Sequence, residues 1–231
     1  MKFSDIVAIY EKWKAEYGKD TYRHVSAILE EAKNVHYQDW LKNPTRGRDH
    51  GQSWRAFKGK NLEKLITQII CEDVEELGLK IVQGNTLEKS KSLSNELSRV
   101  QRNLSVRFQV EGKALLYLPD IDIIIYEPGS SRVVAVISSK VTLRERIAQT
   151  GYWKLKLSSD DVTRPVRVFF VTPDQDETLS RRSPMKKGRA IVEVDTDGAY
   201  VMTEEKIESS DRVKSFDMFI SDLRKLLNNA R

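Results

Sequence analysis

The chain reads as an α/β protein, with a central mixed β-sheet flanked by helices and a helical region at the N-terminus. Three observations predict this class. Apolar residues recur at helical spacing through the first third of the sequence. From about residue 114 the period changes, and 115–126 and 132–139 become β-rich and nearly all apolar, as in central strands covered on both faces. Helical and strand patterns then alternate toward the C-terminus. With 231 residues and 39% hydrophobic content, 1–231 is expected to form one domain, divided into a helical region at 1–58 and a core at 59–231.

The elements follow in order. Residues 4–17 predict a helix capped by Ser4, with Ile6, Val7, Ile9, Tyr10 and Trp13 as its apolar stripe. Residues 20–42 predict a second helical stretch, with Val25, Ile28, Leu29 and Ala32 on one side. Asn43–Gly51 reads as a basic loop. Arg46, Arg48, Arg55, Lys58 and Lys60 suit phosphate contacts there, or plain solvation. Gly59-Lys60-Asn61 opens a strong helix to Leu77, ended by Gly78, with Glu63 on the flank of its buried face. Residues 86–103 are polar and read as helical. The two apolar strands come next, joined by a turn at 127–131, then a helix over 142–157 and a buried strand over 165–172. Residues 190–195 read as a short strand and 211–228 as an amphipathic helix.

Several function classes are excluded early. Cys71 is alone, so there is no disulfide framework and no cysteine-based zinc site. His24, His36 and His50 are not at zinc-ligand spacing. The start Met1-Lys2-Phe3-Ser4-Asp5 lacks a basic-then-apolar leader pattern, and no apolar run approaches membrane-spanning length. A cytoplasmic location without a membrane partner is expected. The net charge of +5 is compatible with a polyanionic partner without demanding one.

The chemistry concentrates at two segments. The first, Leu118–Tyr126, opens on Pro119-Asp120-Ile121-Asp122; the second, Val133–Lys140, ends on Ser138-Ser139-Lys140. Alternate side chains of a strand share a face, so Asp120 and Asp122 are expected to point the same way. Carboxylates among isoleucines need a counter-charge, which Lys140 or a divalent cation would supply. Magnesium takes one or two carboxylates plus water and phosphate oxygens. Lys140 could orient or deprotonate an attacking water and neutralise a developing oxyanion. The alternative is that Asp120 caps a strand and Lys140 lies at the solvent edge. Arg144-Glu145-Arg146 follows directly. Arginine donates two hydrogen bonds to guanine and glutamate accepts from cytosine, and two arginines at a helix start oppose the macrodipole, which a DNA contact would explain. A salt-bridged solvent face is the other account. Tyr152 and Trp153 read as core, Arg181-Arg182 and Lys186–Arg189 as solvated loop charge, and Asp195 and Asp197 as a turn between strands.

Residues 59–157 resemble the PD-(D/E)xK nuclease superfamily. Pro119-Asp120 matches the "PD" and Ser138-Ser139-Lys140 the "(D/E)xK", with Ser138 in place of the acid. That substitution is similar to type II restriction endonucleases cutting CCGG, CCNGG and related sites, whose missing acid comes from the next helix. The corresponding places here hold Trp153 and Lys154, and Gln149 or Glu145 are nearer alternatives. Gly59–Ile66 looks like the first core helix of these enzymes, with Glu63 as its site glutamate, and Lys140 followed by Arg144-Glu145-Arg146 is similar to the base-reading run of the CCNGG group. The resemblance implies a restriction-endonuclease-like core and a magnesium-dependent homodimer on a palindromic, G·C-containing double-stranded DNA site. Asp120, Asp122, Lys140, Glu63 and Ser138 would be catalytic, with Asp120 and Asp122 the metal ligands. Arg144, Glu145, Arg146 and Gln149 would contact DNA. It also implies 5′-phosphate and 3′-hydroxyl ends and a cognate DNA methyltransferase. A structure-specific repair or recombination nuclease, or a non-catalytic DNA-binding protein on this fold, are the rivals.

Overall fold

A computed structural model describes residues 1–44, 49–141 and 146–229. Helix α1 (Phe3–Tyr17) leads through a 3-10 turn (Gly18–His24) to α2 (Val25–Lys42). Ser4 does not cap α1: the helix already begins at Phe3, Lys2 stands at the N-cap, and Asp5 in the first turn accepts the Lys2 N–H at 2.6 Å. Helix α2 buries Val25, Ile28, Leu29, Ala32 and His36 along one stripe.

Helix α3 (His50–Glu76) begins nine residues earlier than the sequence suggested. Asp49 caps it by accepting the Gln52 N–H at 2.7 Å. The helix runs straight through Gly59, whose intrinsic cost of roughly 1 kcal/mol is outweighed by burial of Trp54, Leu62, Leu65 and Ile66. Arg55, Lys58 and Lys60 therefore ride on a helix, while Arg46 and Arg48 lie outside the described residues. Gly78 ends α3 at a φ of 75°.

Strand β1 (Lys80–Gln83) feeds α4 (Gly84–Lys89), and α5 (Asn95–Leu104) follows. The single helical stretch expected over 86–103 is thus two helices. Ser94 starts the second by accepting the Leu97 N–H at 3.2 Å. An unexpected hairpin comes next, β2 (Val106–Val110) and β3 (Lys113–Tyr117). It turns at Glu111-Gly112, both with positive φ, the requirement of a two-residue hairpin turn. The expected strand 115–126 is therefore broken: β3 belongs to the hairpin, and β4 (Ile123–Tyr126) to the main sheet.

Strand β5 (Val133–Ser139), α6 (Arg146–Leu157), β6 (Arg167–Thr172), α7 (Lys187–Asp195), β7 (Gly198–Val201), β8 (Val213–Ser215) and α8 (Met218–Asn229) complete the chain. The main sheet has the order β1-β4-β5-β6-β7-β8. Its β1, β4 and β5 pair antiparallel, and β5 through β8 pair parallel. One face carries α1–α3 and α8 over Ile123, Ile125, Ile137 and Phe169. The other carries α4 and α5 over Ile124, Val136 and Val168, with α6 and α7 over Phe170 and Val201. The central strands read as continuous apolar runs because helices cover both faces.

Residues 190–195 form the helix α7, not a strand. Arg189 and Val192 turn inward at helical spacing while Val194 is 79% exposed. Six residues of alternating apolar and acidic character suit either period. Nor is Arg189 loop charge. It is fully buried, donating to the carbonyls of Leu179 and Glu208 and pairing with Glu193 at 3.2 Å. The helix expected over 211–228 is shortened to α8: residues 213–215, including Val213 of the expected stripe, form the edge strand β8 by pairing with β7, and the helix begins only at Met218. No helix among the described residues is long and apolar enough to cross a membrane.

Candidate active site

Asp122 immediately precedes β4, and Lys140 immediately follows β5. These strands are antiparallel neighbours with Ile123 opposite Ile137, so the register brings both residues to one end of the sheet. Lys140 Nζ lies 3.1 and 3.0 Å from the two carboxylate oxygens of Asp122. The Ser139 backbone N–H also donates to Asp122 at 2.7 Å. The carboxylate is thus fixed by one charge-assisted contact and one amide, in a setting where it is only 9% exposed.

Glu63 joins from the middle of α3. It is 5% exposed, and Asn85 donates to it at 3.4 Å. Its carboxyl is pushed above the ordinary range, first by burial and then by the adjacent Asp122, with which it shares a hydrogen bond; Lys140 and Asn85 pull the other way. Two carboxylates forced together beside an ammonium group form a site that a divalent cation would relieve.

The turn from β1 into α4 holds these groups in place. The Gly84 N–H donates to the Asp122 carbonyl at 3.0 Å. A side chain at Gly84 would sit 1.7 Å from the Ile121 carbonyl oxygen, so only glycine allows this approach. Asn85 was not singled out from sequence. A glycine directly after a short apolar strand was the one available signal.

Asp120 and Asp122 do not project from a strand onto one face, correcting the parity argument. Both precede β4, and the irregular backbone turns Asp120 outward, where it is exposed and accepts from Gln149 at 3.4 Å. Ser138 engages α6 through a hydroxyl contact to Thr150 at 3.2 Å. Arg144 and Glu145 lie outside the described residues, as does the side chain of Arg146, where α6 begins. Trp153 is buried as expected, but Tyr152 is 50% exposed, which corrects its assignment to the core. Asp197 connects α7 to β7 rather than two strands, and is ion-paired with Lys154 and Arg167.

Among the described residues no three or more His, Cys, Asp or Glu side chains are grouped to enclose a metal ion. The donor set at the Asp122 end of the sheet is instead an open two-carboxylate half-site, Glu63 and Asp122. That composition fits magnesium, which keeps waters and binds substrate phosphate in its remaining positions.

Comparison with known proteins places this geometry in a family. Residues 96–222, more than half of the chain, match the family described as BsaWI restriction endonuclease type 2. The putative type II restriction enzyme MjaVIP of Methanocaldococcus jannaschii is 32% identical over 213 residues, covering 87% of this chain and 92% of that protein. The chain belongs to the BsaWI family of type II restriction endonucleases. The probable type II restriction enzyme HpyAORF263P of Helicobacter pylori is 34% identical over 135 residues, 58% of this chain and 67% of that protein. Among solved structures, the restriction endonuclease PspGI in a substrate DNA complex shares the fold at a TM-score of 0.53 and 14% identity, over 99% of this chain and 96% of that one. Within this BsaWI-family chain, the family match runs from α5 into α8 and includes Asp120, Asp122 and Lys140. Glu63 and Asn85 lie before it.

Proposed function

We propose that 1–231 is a single nuclease domain acting as a magnesium-dependent type II restriction endonuclease. It would bind a short, G·C-containing palindromic site in double-stranded DNA and hydrolyse one phosphodiester in each strand. The observation that carries this reading is the convergence of Asp122, Lys140 and Glu63 at one end of the sheet. Glu63 and Asp122 would hold the cation, which when bound stabilises charge on the scissile phosphate and acidifies a coordinated water. Lys140, held against Asp122 as an ammonium group, is placed to orient that water and to meet the developing oxyanion. The Ser139 amide keeps Asp122 aimed while Lys140 is drawn toward substrate.

Gln149, in the first turn of α6, stands beside Asp120 at the rim. Arg144, Glu145, Arg146 and Gln149 would contact the bases of that DNA site. Asp122 becomes the main metal ligand and Asp120 a rim group in contact with Gln149. The palindromic site calls for a homodimer, and a cognate DNA methyltransferase would protect the host's own sites.

The test is a plasmid digest with magnesium. Discrete fragments with 5′-phosphate ends support the reading, whereas cutting confined to branched or single-stranded substrates points to a repair nuclease. Lys140→Ala should lower cleavage by about 100- to 10,000-fold while leaving specific DNA binding largely intact. Full cleavage by that variant removes Lys140 from the mechanism.

A further inference from the structure

Glu63 reaches the Asp122 end of the sheet from a helix, and its orientation is set by a different route from that of Asp122. Asp122 is fixed by the Ser139 amide and the Lys140 ammonium. Glu63 is met by Asn85, whose Nδ2 donates to Oε1 at 3.4 Å. Asn85 is held in turn by Lys89, whose Nζ donates to the amide oxygen at 2.7 Å. An ammonium group can only donate, so it fixes the carbonyl end of the amide and leaves the NH2 end for the carboxylate. Both neighbours demand the same orientation of the Asn85 side chain.

The short helix that carries this pair is itself pinned. Asn85 and Lys89 stand four residues apart on α4, neighbours along one side of it. Leu87 between them is 1% exposed, and its carbonyl accepts from Gln101 on α5 at 2.7 Å. Gly84 ties the start of α4 to the Asp122 carbonyl. Asn85 and Lys89 are both exposed, so the apolar core does not call for either. The Lys89 ammonium lies 3.9 Å from Glu88, farther than from Asn85, so its contact is with the amide and not with the adjacent acid.

We propose that Asn85, turned by Lys89, is the positioning residue that keeps Glu63 aimed as a ligand for a divalent cation. The inference rests on the Glu63–Asp122 half-site proposed above. Two properties of the arrangement suit it to this role. A neutral amide anchors a carboxylate without cancelling the charge that attracts the cation, whereas a lysine in direct contact would compete with the ion. The second is slack. At 3.4 Å the bond from Asn85 is longer than the usual separation of about 2.9 Å, so Glu63 can turn toward an arriving ion while the bond tightens. Neither Asn85 nor Lys89 touches the cation; both act through the orientation of Glu63, as partners of ligating carboxylates do.

The experiment is manganese binding to the full chain without DNA, read from the loss of the free-ion signal in electron paramagnetic resonance, so that affinity is measured apart from cleavage. Asn85→Leu should raise the manganese dissociation constant by about 10- to 100-fold. Lys89→Met should raise it by about 5-fold, the loss of one hydrogen bond that orients the amide, and Lys89→Arg should hold it near the wild-type value. In the double variant the Lys89 change should add nothing, because its effect passes through Asn85. Thermal midpoints should match the wild type, and Lys89→Met, whose side chain is 71% exposed, keeps the test open if Asn85→Leu folds poorly. In cleavage the magnesium midpoint should rise while the rate at saturating magnesium recovers. Unchanged manganese affinity in Asn85→Leu, additive losses in the double variant, or a rate that saturating magnesium does not restore overturns the assignment. Glu63→Gln separates this inference from the reading beneath it. If that variant binds manganese as the wild type does, or if the wild type binds none, the half-site itself fails. If Glu63→Gln abolishes binding that Asn85→Leu leaves untouched, only the positioning role fails.

Discussion

At the scale of single residues, the two aspartates of the Pro119–Asp122 segment have different surroundings and should have different roles. Asp122 is buried and held by Lys140 and the Ser139 amide, while Asp120 is exposed beside Gln149. Asp122→Asn should take cleavage below detection. Asp120→Asn should cost about 10- to 100-fold, the effect expected of a group that orients its neighbours rather than holding the cation. Single-turnover rates on an oligonucleotide substrate measure both, and equal losses would return Asp120 to the cation site. Lys140 and the aspartate pair stood out in sequence because charged side chains bordering apolar runs are conspicuous, whereas Glu63 was pointed to by the resemblance of Gly59–Ile66 to the first core helix of the nuclease superfamily. Which aspartate faces the lysine was not legible. That depends on β4 starting at Ile123, a boundary set by pairing with β5 and not by local propensity. Asn85 was invisible because an asparagine after a glycine has the look of an ordinary turn.

At the scale of elements, the position of the cluster depends on how closely the β1–α4 turn approaches the backbone before β4. A methyl group at Gly84 meets the Ile121 carbonyl at 1.7 Å, and backbone cannot step aside as a flexible side chain could. Gly84→Ala should destabilise the fold by about 2 kcal/mol and lower cleavage further than the stability loss explains, because Asp122 moves with Ile121. Thermal melts paired with cleavage rates at a temperature where the variant is folded check this; unchanged activity would detach the turn from the site. The long helices and the central strands β5 and β6 were readable from period and apolar content. The hairpin was not, since almost all of its residues are exposed and give no inside–outside alternation. Helix α7 was misread because its buried stripe is narrow, and one of its inward residues is the arginine Arg189.

At the scale of the whole molecule, Asp197 ties several pieces together. It accepts from Lys154 on α6, Arg167 and the Val168 amide on β6, and lies 3.8 Å from Arg212 ahead of β8. Burial alone would raise its carboxyl, but the Lys154 contact, the Val168 amide and Arg167 outweigh burial and hold it below the ordinary aspartate range. Its folded pKa is therefore depressed. The stabilisation is present above about pH 3.9, the unfolded value, and is lost as pH falls through the folded value. Asp197→Asn should cost about 2 kcal/mol at pH 7, toward the low end for a buried ion pair because Arg167 and Arg212 are nearly half exposed. The gap from wild type should close below pH 3.9, and urea titrations across pH would reveal a constant gap if the charge were irrelevant. The mixed sheet with helices on both faces was legible from the continuous apolar runs over 123–126 and 133–139, whereas the change of period near residue 114 falls in β3 of the separate hairpin.

Three of the four tryptophans, Trp13, Trp40 and Trp54, sit in α1, α2 and α3. Trp153 stands apart on α6, stacked on Tyr117 with ring centres 5.6 Å apart. Its emission, isolated as the difference between wild type and Trp153→Phe, is a built-in optical gauge of that corner of the protein, readable during dilution or DNA addition without any attached dye.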